Sequence, residues 1–492
     1  MEFTMKPFIL TLLSATLLAA LQPASSASTG DWQASIAPET AQTELQTLYN
    51  GLRAAHYDVF AHRSEDEYDT RFDTLYASLK QPLSRFELAI ELQKFTAFGN
   101  VAHARIDFPG EVYEAFRAAG GRSFPLYLRF VDGHAFIAEN YSGVSELSVG
   151  DEIISIDGIS MTDWLQRTAA HVSADTSYMA GALLEFSFAR YLWVELGERD
   201  SFQLRLKRDG LISDPLTIPA RTRAEMQAVS ANAPQVFALD AATREATMLT
   251  DEIAYLRPGP FYNFEDPDNV WDPTAFIRFV DTSFETFFSE DAETLIIDLR
   301  DNPGGDNSFS DPIIAWIADE PFRFASKFLI RSSDEAATSN QRRLEASNDP
   351  TGGVSALLAR AFAATPRGET FEFEIPWVQP RHDKRFEGEV YILVNRHSYS
   401  NATTTAAIFQ DYGWGIIAGE KTSDMATTYG AMESFTLPET GLVVGFPKAH
   451  IIRPSGDPVS DCVTPDLFIP TPIVPSGEDV VLNSLVSVIS DM

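Results

Sequence analysis

From Thr40 to about Gly99 the apolar residues return every three or four positions. Leu45, Leu48, Leu52 and Ala55 fall on one face, Phe72, Leu75, Tyr76 and Leu79 on a second, and Phe86, Leu88, Ala89, Leu92 and Phe95 on a third. This period predicts amphipathic helices with core-facing stripes. From about Phe124 to Leu216 short β runs take over. The runs starting at Leu126 and at His134 read as strands joined across Asp132-Gly133, a hairpin signal. Gly150-Asp151 and Asp157-Gly158 bracket another strand, and Phe202 to Arg208 alternates before Asp209-Gly210. Between them, about Ser160 to Glu198 reads as helical and aromatic. From about Met226 strands alternate with helical stretches. Ile253 to Arg257, Thr294 to Arg300, Phe328 to Ile330, Val390 to Val394 and Gly415 to Gly419 read as strands. Phe276 to Phe288, Pro312 to Ala318 and Ala402 to Tyr412 read as helices, and Ser332 to Thr351 as an acidic, polar stretch. Such alternation predicts a parallel sheet covered by helices. The chain is therefore expected to be multidomain α/β, with a helical N-terminal domain over 28–120, a β domain over 121–225 and an α/β core over 226–492.

The extreme N-terminus stands outside this scheme. Lys6 precedes the apolar run Pro7 to Leu21, and Ser25-Ser26-Ala27 follows with small residues. These features predict a secretory signal peptide over 1–27 and a periplasmic or secreted mature protein. The run is short for a membrane span, and no later stretch approaches spanning length. Across 492 residues, 37 Lys and Arg stand against 70 Asp and Glu, a net charge of −33. That surface repels nucleic acid and anionic membranes, so neither is an expected partner. Cys462 is the single cysteine, which excludes an internal disulfide and disfavours a zinc thiolate cluster.

Three places invite chemistry. Ser400 falls at the turn between the strand Val390 to Val394 and the following helix. Such a turn lifts a side chain out of the sheet and aims helical N–H groups at whatever that side chain attacks. Serine is also a favoured helix N-cap, and capping is the commoner use of such a residue. Gly304-Gly305 directly follows a buried strand, where glycines let backbone donors approach a ligand and hold an oxyanion. The N–H of Asn401 would be a second such donor. His103, after a glycine-containing turn, could be the base that a serine needs. Spacing alone does not bring the three together.

Leu295-Ile-Ile-Asp-Leu-Arg-Asp-Asn-Pro-Gly-Gly305 resembles the strand-and-glycine signature of the C-terminal-processing (tail-specific) serine peptidases, a family that includes the tricorn protease core. Val394 to Ser400, Gln410 to Gly413, Gly419 to Thr422 and Val463 to Asp466 are similar to its later blocks, in order. Leu147 to Gly158 resembles the end of a PDZ domain. The resemblance implies a Clp protease/crotonase-like core with an inserted PDZ-like β domain. It implies Ser400 as nucleophile, Gly304 or Gly305 with Asn401 as oxyanion donors, a peptide or protein substrate, and no metal or other cofactor. The bacterial tail-specific branch would place a lysine base where this chain has Met425. The tricorn-like branch uses a histidine, which His103 matches, although Ala102 replaces the serine that can precede it and Thr403 a common glutamate. Asp461 occupies the region of the carboxylate that orients the imidazole. A serine endopeptidase is the expectation that follows. A catalytically inactive descendant that binds a peptide or hydrophobic ligand is the alternative.

Overall fold

The computed structural model describes residues 31–233, 236–346 and 353–491, so the expected signal segment lies outside the described residues. The architecture is mixed α/β and is built on three large sheets. The first has six strands, in the order Glu245–Met248, Ile253–Arg257, Thr294–Asp298, Glu389–Val394, Ile416–Gly419 and Leu467–Phe468. All neighbours pair in parallel except the antiparallel edge strand Glu245–Met248. The continuous apolar runs follow from burial on both faces. Leu295 and Ile297 face helices Thr274–Ser289, Asn307–Ala315 and Asn401–Tyr412, whereas Ile296, between them, faces helix Val480–Ser490.

The second sheet is antiparallel: Thr370–Glu372, Lys327–Arg331, Val443–Ile452 and Thr428–Thr436, with Arg105–Ile106 added to Val443–Ile452. It carries the N-terminal helices Pro38–Ala55, Glu65–Ser78 and Arg85–Ala97. Leu45, Leu48, Leu52 and Phe95 share one core with Val444, Phe446 and Ala449. The helical stripes read from the sequence are present, except that Tyr76 of the second stripe is exposed. Their burial partner is strand residues some 350–400 positions away in the chain, which no local periodicity can reveal.

The third sheet lies within 121–225 and runs Leu216–Pro219, Ser201–Arg208, Glu152–Ile156, His134–Asn140, Leu126–Val131, with two short strands off this path. Its three Asp-Gly turns have positive φ at both residues: 49° and 79° at Asp132-Gly133, 51° and 77° at Asp157-Gly158, and 50° and 80° at Asp209-Gly210. That is the backbone of the tight hairpin turn whose twist matches the flanking strands. Helices Met161–Ala169, Ser177–Glu185 and Phe188–Leu196 cover the sheet around the buried Trp164.

Two elements differ from expectation. The helix expected from Pro312 spans Asn307–Ala315, because the Asp306 carboxylate accepts the Ser308 N–H and starts it a turn and a half earlier. Pro312 sits inside, where its missing N–H costs one helical bond. Within the stretch expected to be merely polar, Asp334–Ala346 is a helix whose Ala336 packs against the second sheet's core.

Candidate active site

The strands Thr294–Asp298 and Glu389–Val394 are parallel neighbours, so the segments that leave their C-terminal ends emerge side by side. Ligand sites in open α/β sheets collect at that edge. One segment carries Gly304-Gly305 and the other carries Ser400. Cross-links fix their separation: the Tyr399 N–H donates to Asn302 O (3.0 Å), and the Ser398 hydroxyl to Leu299 O (2.7 Å).

Ser400 opens helix Asn401–Tyr412 with φ 52° and ψ −121°, a conformation that side-chain-bearing residues rarely adopt. Its N–H donates to Asp424 Oδ2 at 2.6 Å. The hydroxyl makes no cap hydrogen bond, so the commoner use of serine at such a turn does not hold here. Strained backbone of this kind persists only where surrounding structure over-determines it. Here the Asp424 carboxylate, the cross-links to the 299–302 segment and a helix buried through Phe409 supply that restraint.

Gly304 has φ 82° and lies against this turn. A Cβ there would come within 2.6 Å of Tyr399 O, 2.7 Å of Asn401 N and 2.8 Å of Ser400 Cβ. At Gly305, φ 140°, a Cβ would meet Phe261 O at 2.0 Å. The N–H of Gly304 is already used, donating to Asn302 Oδ1 at 2.8 Å. Among the described residues, the N–H groups of Gly305 and Asn401 have no acceptor. Of the two glycines offered by the sequence, Gly305 is therefore the one with a free donor. The Asn401 side chain is held away from the turn by Ser310 Oγ at 3.0 Å.

His103 lies in a loop between helix Arg85–Ala97 and strand Arg105–Ile106, and its ring stacks on Tyr399, the residue before Ser400, at 5.2 Å between centroids. It is buried, and Nδ1 has no hydrogen-bond partner. No hydrogen bond joins it to Ser400 among the described residues. Burial pushes the imidazole down to about 4; the Asp175 carboxylate opposes this shift and Arg105 adds to it.

Two carboxylates that the sequence reading passed over converge here. Asp424 is fully buried and holds the N–H groups of Ser400 and Met425. Burial, with Asp175 nearby, raises its carboxyl to about 7. Asp175 comes from the loop between helices Met161–Ala169 and Ser177–Glu185, in the β region of the chain. Its Oδ2 accepts the Ala102 N–H at 3.1 Å, and Oδ1 lies 3.5 Å from His62 Nε2. Asp424 directly precedes Met425, where the resemblance drew attention to a missing lysine. Asp175 had no sequence signal at all.

Asp461 does not join this group. It is exposed, and its Oδ1 accepts the adjacent Cys462 N–H at 2.7 Å, with no contact to His103 among the described residues. Met425 is buried and bridges to Cys462. His397 is held between Glu185 and Asp301 at 3.1 and 3.2 Å. Burial works against its charge, but Asp301 and Glu185 outweigh this and raise it to about 9, so it is a paired cation at neutral pH. Its neighbour Arg396 pairs with Glu185 and Glu420 at 3.0 and 3.1 Å, and Arg129 reaches Glu420 at 3.1 Å. Glu185 and Arg129 belong to the third sheet and its helices, so a buried ionic chain fastens that part of the molecule behind the Ser400 turn.

Residues 274–469 match the family model for peptidase family S41. The crystal structure of an alanine mutant of CPAF superposes with a TM-score of 0.60 at 15% identity, covering 92% of this chain and 96% of that one. Mature CPAF complexed with lactacystin gives a TM-score of 0.57 at 16% identity, covering 92% and 97%. At these identities the likeness is one of fold. No curated protein matches the chain in sequence. The family match spans both the Gly304-Gly305 segment and the Ser400 turn, and the chain thus carries a serine peptidase domain of the C-terminal-processing family S41.

Proposed function

We propose that the protein is an exported serine endopeptidase that cleaves peptide or protein substrates through an acyl-enzyme on Ser400. One observation carries this reading: a serine at positive φ with an uncapped hydroxyl, beside the two open N–H groups of Asn401 and Gly305. The Ser400 hydroxyl attacks a peptide carbonyl as its proton passes to His103, whose burial keeps the ring neutral and able to accept it. The tetrahedral oxyanion rests on the N–H groups of Asn401 and Gly305. His103 returns the proton to the leaving amine, and water then releases the acyl group with His103 again as base. No metal or organic group is required. Residues 121–225 act as a PDZ-like module inserted between the helical segment 28–120 and the peptidase core 226–492, and take an extended peptide along a strand edge. Export rests on the segment 1–27. Among the described residues no helix is long and apolar enough to cross a membrane.

The lack of a hydrogen bond between His103 and Ser400 favours the alternative, an inactive peptidase-like protein that binds a peptide or hydrophobic ligand. A fluorophosphonate probe separates the two. Labelling of the folded protein that disappears in Ser400→Ala supports the peptidase, whereas no labelling of folded wild-type protein leaves the binder.

A further inference from the structure

We infer that Asp175, carried by the inserted β region, is a positioning residue that sets His103 for proton transfer. The inference rests on the Ser400–His103 reading above. A serine peptidase needs a negative group behind its histidine to hold the ring and to stabilise the imidazolium that forms. Asp461 does not supply it, since its carboxylate is exposed and turned to Cys462. His103 Nδ1 is buried with no acceptor. Once the ring takes the Ser400 proton, it becomes an enclosed cation, which is costly without a compensating anion.

Asp175 is placed to be that anion. Its Oδ2 grips the N–H of Ala102, the residue before His103, at 3.1 Å, and its carboxylate is 6% exposed. The neighbouring Ala174 packs with Ala102 and Tyr399, the residues that precede the two reacting groups. Two positions earlier, Ser173 Oγ donates to Ala104 O at 2.5 Å. Residues 173–175 thus clasp the His103 loop from both sides. The titratable groups around Asp175 are His62, His103, Asp424, Tyr399 and Tyr429, with Arg105 beside the imidazole. His62 pairs with Oδ1 at the solvent side, where Asp175 holds it protonated to higher pH, leaving Oδ2 toward the His103 loop. The competence of the peptidase core is therefore tied to the seating of another part of the molecule.

The test is the pH dependence of fluorophosphonate labelling and of peptide kcat and KM in the full chain. Asp175→Asn keeps an oxygen for the Ala102 N–H and removes the charge. It is expected to lower kcat at least tenfold with KM within threefold, and to move the acid-limb midpoint of labelling to lower pH. Ser173→Ala, which loosens the same loop without changing charge, is expected to leave that midpoint in place. Asp175→Glu, which keeps the carboxylate, is expected to keep the wild-type midpoint and serves if the Asn variant does not fold. Wild-type kinetics in Asp175→Asn, a displaced midpoint in Asp175→Glu, or an equal displacement in Ser173→Ala would each overturn the inference. A His103→Gln enzyme as active as wild type would instead sink the Ser400–His103 reading.

Discussion

Replacing Gly304 by alanine tests the packed geometry around the Asn401 N–H and the Ser400 turn, 2.8 Å from Ser400 Cβ, without changing the identity of a reacting group. The added methyl would stand 2.7 Å from Asn401 N and 2.6 Å from Tyr399 O, against the roughly 3.5–4.0 Å of a comfortable contact. Both neighbours are backbone, locked by the helix that follows and by the cross-link to Asn302, so they cannot step aside cheaply. The methyl either covers the Asn401 N–H or forces it away from the line of attack. Loss of one such donor costs about 10²–10³ in kcat, roughly 3–4 kcal/mol of barrier. A second, separate cost is conformational, because φ is 82° and alanine in that region loses about 1–2 kcal/mol. The control is Gly133→Ala, where φ is 79° and nothing lies within 4 Å of the new Cβ. It carries the backbone strain alone. Kinetics on a fluorogenic peptide and thermal melts of both variants divide the two effects. Both proteins should melt below wild type, Gly304→Ala the further because its methyl also meets locked backbone, and only Gly304→Ala should lose kcat. A Gly304→Ala enzyme within twofold of wild-type kcat would falsify the placement of the oxyanion beside Asn401.

Three further outcomes are expected. A neutral imidazole is the active form of a general base, and burial of His103 favours that form, so labelling of the free enzyme should persist below pH 6 and be lost through a midpoint near 4, beneath any change near 7 as the buried Asp424 that holds the Ser400 N–H takes up a proton; complete loss of labelling by pH 5 would show that a different or more exposed base is used. Gly305→Ala would drive a methyl to 2.0 Å from Phe261 O in a region with no slack, so it should yield little soluble, cooperatively melting protein, and a normal melt would refute the contact. Arg300 bonds the buried Asp298 at 2.7 Å and Asp479, at the start of helix Val480–Ser490, at 2.6 Å. Arg300→Met leaves Asp298 with the residue-300 N–H, Tyr255 and Arg257 and should cost about 3–5 kcal/mol in urea unfolding, whereas a loss below about 1 kcal/mol would show the network to be dispensable.

Local periodicity carried much of the fold because it records which side of an element avoids water. The helical stripes through Leu45 and Leu88, the three Asp-Gly hairpins and the buried runs at Leu295 and Val390 are each written within a few consecutive residues. Ser400, Gly304, Gly305 and Asn401 could be singled out for the same reason: a strand that ends in glycines, or in a serine before a helix, is a local feature. The helix expected from Pro312 begins earlier, at Asn307, because the Asp306 carboxylate accepts the Ser308 N–H and Pro312 is accommodated inside it.

What tertiary structure alone decided is the company these groups keep. Whether Ser400 caps its helix depends on a φ of 52° that Asp424 and the 299–302 segment impose from elsewhere in the chain. Which glycine has a free N–H depends on where the Asn302 side chain turns. The carboxylate facing the His103 loop is Asp175 and not Asp461, and it arrives from a loop between two helices of the 121–225 region. Hydrogen bonds and charges act over a few ångströms of space with no regard for separation along the chain, whereas a sequence orders residues only by that separation. The candidate groups at the Ser400 turn could therefore be picked out from the chain, but their partners, protonation and open donors could not.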